Sequence, residues 1–118
     1  MKTILIFLMG LLLLTTFNVY AEGPVLTIGL GKFDVTKNEI KKSVVLSLMK
    51  RGYKIQHISN EKYTATHHRK PVSINVKVSK SIIAVQGSDD IKPVWVKNIH
   101  KDITFWLEYY TILKRNDS

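Results

Sequence analysis

The 118-residue sequence contains no cysteine. That absence excludes disulfide staples, a thiol nucleophile, thiolate metal sites and a cysteine for lipid attachment. A small exported domain often leans on disulfides, so this one must be held by packing alone. Acidic residues are scarce: 9 Asp and Glu stand against 18 Lys and Arg, for a formal net charge of +9. Three prolines and six glycines are too few and too scattered to build a linker. After the N-terminus there is no second long apolar run, no internal repeat and no nucleophile elbow. Gly29-Leu30-Gly31-Lys32 lacks both the glycine spacing and the Ser/Thr after lysine that a phosphate loop needs.

What is present starts with a leader. Met1-Lys2 is positive, Ile4 to Leu14 is apolar apart from Gly10, and Val19-Tyr20-Ala21 suits a signal peptidase. Residues 1–21 therefore read as a secretory signal peptide cut after Ala21, with no stable transmembrane span left behind. The expected location is the periplasm or the outside of the cell. Cleavage removes one charged residue, Lys2, leaving 17 basic and 9 acidic residues.

Residues 22–35 read as an extended arm or edge strand, in which Leu26, Ile28 and Leu30 alternate. An α+β domain over 36–118 follows. Thr36 and Glu39 form a capping box, Val35 and Ile40 a hydrophobic staple, and Gly52 the residue past the helix end. These predict a helix over 37–51. Alternation then predicts strands at 53–57, 63–67, 72–78 and 83–87, joined by short turns at 59–61, 69–71 and 79–81. A last helix should start near Asp89 or Asp90, with Val96, Ile99, Ile103, Trp106, Tyr110 and Leu113 as its buried stripe. The expected fold is a two-layer α+β domain: a four-stranded antiparallel meander with an N-terminal and a C-terminal helix packed on one face.

Arg51-Gly52-Tyr53-Lys54-Ile55, Tyr63-Thr64-Ala65-Thr66, the alternating Val72–Val78 strand and Trp95-Val96-Lys97-Asn98-Ile99 resemble a family of small bacterial exported proteins and lipoproteins of unknown function. Those chains share a helix ending in Arg-Gly-aromatic, a strand meander and a last helix entered through a Trp. The resemblance covers about 36–113 and implies this fold and an envelope location. The sequence departs from that pattern in lacking the lipobox cysteine and a Tyr-Asn pair before the Trp.

No catalytic, metal or cofactor residue emerges. His57, His67 and His68 are the candidate ligands. Keeping Ile55 opposite Ala65 places His57 and His67 roughly 13 Å apart at about 3.3 Å per residue, and alternation sends His67 and His68 to opposite faces. His100, between Lys97 and Lys101, should face water. Asp89 and Asp90 read as helix caps rather than a catalytic pair. Nucleic acid is not expected, because the uncovered sheet face lacks the aromatics that stack bases. The leading reading is a non-catalytic exported protein of the bacterial envelope or secreted fraction that acts by binding a partner, a protein or an anionic envelope component; the alternative is an electrostatic binder of anionic lipid or polysaccharide. A small hydrolase is the third reading. The candidate contact surface is the uncovered sheet face: Lys54, Gln56, Ile58, Thr64, Thr66, His68, Asn75 and Lys77. The 22–35 segment is its alternative.

Overall fold

A computed structural model describes residues 23–59 and 61–117; the leader 1–21 lies outside them. Helix α1 spans Lys37–Lys50. The Thr36 hydroxyl accepts from the Glu39 N–H, and the Glu39 carboxylate accepts from the Thr36 N–H. The helix ends through Arg51 into Gly52, whose φ of 84° lies in the left-handed region that glycine enters at no steric cost. Four strands follow: β2 (Tyr53–Ile58), β3 (Lys62–His67), β4 (Ser73–Val78) and β5 (Ile82–Gly87).

The sheet has five strands in the order β1-β5-β4-β3-β2, not four. The added strand is β1 (Val25–Gly29), which pairs antiparallel with β5 from Val25↔Gln86 to Gly29↔Ile82. The segment expected as an arm or edge strand is thus built into the sheet, with Ile28 and Leu30 in the core. Of the two expectations for this segment the structure has the edge strand, over 25–29, with a pairing partner more than fifty residues away. Every neighbouring pair is antiparallel. Hence β1 and β2 run the same way at opposite edges, and α1 crosses between them.

Helix α2 spans Pro93–Asp117. It starts at Pro93, later than Asp89 or Asp90; Asp90 instead accepts the Ser88 hydroxyl at 2.9 Å. Its buried stripe is Val96, Ile99, Ile103 and Leu107, continued by Thr111. Trp106 and Tyr110 are half-buried and Leu113 is exposed, so the stripe veers from the expected course. A 3.6-residue period admits either side of a bulky helix, and contact with the sheet and α1 selects one. The core joins Val44 and Leu48 of α1 and the α2 stripe to Tyr53, Tyr63, Ala65, Ile74, Val76, Ile83 and Val85 on one sheet face. Burying that apolar face is the main stabilising term, on the order of 25 cal/mol per Å².

The two helices lie antiparallel and are clamped at both ends. Arg51 donates Nε–H to Asp102 Oδ2 at 2.8 Å and Nη2–H to Oδ1 at 3.2 Å. Lys114 pairs with Glu39 and also donates to the Asp34 carbonyl. The Lys114 hydrogen bond, helped by the Thr36 N–H, holds the Glu39 carboxyl below its ordinary pKa. His100 does not face water alone: its Nε2 donates to the Thr27 carbonyl at 2.9 Å, tying α2 to the edge of β1.

Candidate binding surfaces

The sheet face away from the helices is open. Cross-strand register assembles it in rows: Val25, Gln86, Asn75, Thr64 and His57; then Thr27, Ala84, Lys77 and Lys62; then Ser73, Thr66 and Lys54. Of the expected contact residues, Lys54, Thr64, Thr66, Asn75 and Lys77 take places in these rows. Gln56 joins them through its side chain, which donates to the Thr66 hydroxyl at 3.0 Å.

Two expected members do not belong. A β-bulge between Ile55 and His57 advances the register by one residue, so Ile58 lies opposite buried Tyr63, on the helix side of the sheet. The same bulge brings His57, not Ile58, to the open face. His68 lies beyond the end of β3, where its Nδ1 donates to the Gly52 carbonyl at 2.8 Å. Strand alternation stops with the strand, so His67 and His68 are not on opposite faces: their rings pack 4.7 Å apart. Among the described residues, no three metal-ligating side chains gather at one point.

The open face has one charge sign. Lys54, Lys62 and Lys77 stand on it, and none of its row positions is Asp or Glu. Lys62 and Lys77 are directly opposite each other. Like charges in that relation repel, which destabilises the pair unless an anion comes between them.

A second feature lies at the corner where α1 ends, β2 begins, β3 ends and α2 begins. Arg51, Tyr53, His67, Trp95 and Asn98 line a half-open cleft of about 160 Å³. Its walls are aromatic: His67 packs 5.1 Å from Trp95 and meets Tyr53 edge-on at 5.2 Å. The His67 ring is fixed by its own turn, because Nδ1 accepts the N–H groups of Arg69 at 3.1 Å and Lys70 at 3.2 Å. Nδ1 therefore carries no proton. Burial lowers the pKa of His67, and the charges of His68, Arg69 and Lys70 lower it further, against a hydrogen bond to the Arg51 backbone. The lowered pKa favours the neutral ring.

Tyr53 is only 4% exposed, and its hydroxyl has no hydrogen-bond partner among the described residues. Burial pushes its pKa up to about 12, so it remains a proton donor throughout the physiological range. Leaving such a group unpaired costs about 1–3 kcal/mol. Gly52 makes the corner possible twice over. Beyond its positive φ, a Cβ there would come within 2.7 Å of His68 Nδ1 and 3.3 Å of His67 Nε2.

In the sequence Arg51 and Gly52 read as a helix end, Tyr53 as the first residue of a strand and Trp95 as the entry to the last helix, with nothing to show that they meet. Asp102, which holds Arg51, went unnoticed because it stands in the middle of a helix without a local charge partner in the sequence.

No protein-family model and no curated protein matches the chain. Among the described residues, no helix is long and apolar enough to cross a membrane.

Proposed function

We propose that the protein is exported, has no catalytic role and acts by binding an acidic polysaccharide of the bacterial envelope through its open sheet face. The leader at 1–21 supports the export, and the resemblance to small exported proteins agrees with it. The observation that carries the binding is the Lys62–Lys77 pair on a face with no carboxylate in its rows. An acid group between those ammonium ions relieves their repulsion. Thr64, Thr66, Asn75 and Gln86 add hydroxyl and carboxamide groups suited to sugar hydroxyls. A flat, polar, hydrogen-bonding surface suits a glycan better than a bilayer, which favours exposed apolar and aromatic groups.

Retention on immobilised heparin tests this reading. The protein should bind at low salt and elute as the salt screens the charges. Lys54→Glu, Lys62→Glu and Lys77→Glu together should abolish retention while leaving the fold intact. Equal retention of the charge-reversed and unaltered proteins would place the contact elsewhere.

A further inference from the structure

The corner cleft lies away from the open sheet face and serves a different chemistry. The geometry points to a binding site for a small carboxylate with a flat, unsaturated body, seated between Arg51, Tyr53, His67, Trp95 and Asn98.

Size sets the first limit. At about 160 Å³ the cleft is close to the roughly 150 Å³ at which a protein cavity accepts benzene, so the ligand is a single ring or its equivalent. The walls set the second. Trp95, His67 and Tyr53 pack against one another at 5.1 and 5.2 Å and form a continuous aromatic wall, which favours a flat guest laid against it over a bulky aliphatic one.

The polar groups set the third, because they are mainly donors. The Tyr53 hydroxyl is buried and unpartnered. The Arg51 guanidinium gives two N–H groups to Asp102 and retains others. The Asn98 carboxamide contributes two more N–H groups. Local charge agrees, since Arg51 is the one charged side chain among the residues that line the cleft, and Asp102, which holds it, is not among them. An anionic acceptor therefore meets a cationic group in the wall, whereas an ammonium group would meet a like charge. Asp102 anchors Arg51 from behind and is a positioning residue. This inference does not depend on the polysaccharide reading, because no cleft residue belongs to the sheet-face rows.

The test is an NMR titration of the whole mature chain with benzoate, following the Trp95 indole N–H and the Asn98 carboxamide. Benzylamine, of similar shape and opposite charge, is the comparison. Benzoate should produce saturating shifts confined to the cleft, with binding at least tenfold tighter than benzylamine. Tyr53→Phe keeps the ring and removes the hydroxyl; it should weaken benzoate at least fivefold while the remaining spectrum is unchanged. Asn98→Ala, on a half-buried helix position, should weaken it as well and serves if Tyr53→Phe disturbs the fold. Absence of saturation up to about 10 mM benzoate overturns the proposal. So does equal response to benzylamine, or benzoate affinity untouched by both substitutions.

Discussion

The open sheet face and the corner cleft share β2, and two consecutive residues divide them. Lys54 points to the open face and is exposed; Tyr53 points inward and is buried. The face is flat, each of its rows is drawn from neighbouring strands, and its polar groups reach water. The cleft draws on four separate elements and includes a hydroxyl left without a partner. A surface made by alternation tolerates change one residue at a time. A site made by convergence depends on the few residues that bring its walls together, and substitution should expose that difference.

The largest effect should come from the shared strand. Tyr53→Ala removes a buried aromatic and should cost about 3–5 kcal/mol, whereas Lys54→Ala should stay within about 0.5 kcal/mol. Urea denaturation of both variants measures the contrast, and similar losses would erase it. Next comes Gly52→Ala. The positive φ and the approach of His68 should together cost about 1–3 kcal/mol, and chemical shifts of His67 and His68 should move with it. Arg51→Ala leaves Asp102, only 9% exposed at its side chain, without its main partner. The penalty of a broken buried pair is reduced because Arg51 is partly solvated and Lys50 lies 3.9 Å from the carboxylate. A loss of about 1–3 kcal/mol is expected, and a stability unchanged on Arg51→Ala would show that the clamp contributes nothing.

On the open face the sign should reverse. Lys77→Glu turns a like-charge pair with Lys62 into an opposite-charge pair and should stabilise by about 0.2–1 kcal/mol at low salt. The smallest effect is the pH response of the corner. His67 has a folded pKa below its unfolded value, so the unfolded chain binds the extra proton first as pH falls. Its contribution is complete above about pH 6.5 and is lost as pH falls through the folded pKa. His67→Gln should flatten that part of the stability–pH curve, and an unchanged slope would remove His67 from the account.

Much of the fold was legible because its signals are local. Thr36 and Glu39 are three residues apart, and Gly52 follows a helix directly, so caps and ends could be read from neighbours. The Val72–Val78 alternation placed the central strand for the same reason. The place of the fifth strand was not local: alternation at Leu26, Ile28 and Leu30 allowed an edge strand, but only pairing with β5 builds β1 into the sheet, and Gly29 weakens the pattern. The bulge at Gln56 is likewise silent in sequence, yet it exchanges Ile58 for His57 on the open face. The cleft was least legible. Arg51, Tyr53, His67, Trp95 and Asn98 each satisfy an ordinary description as cap, core or helix residue. Only the sheet register and the antiparallel helix pair bring them together.

The central claim is that charge on the open face and convergence at the corner form separate surfaces. Its most direct test is a residue-by-residue NMR titration of the protein with a heparin hexasaccharide. Salt-sensitive shifts are expected at Thr64, Thr66, Asn75, Lys77 and Gln86, with Tyr53, Trp95 and Asn98 unmoved. Shifts centred on Tyr53, Trp95 and Asn98, with the open face silent, would contradict it.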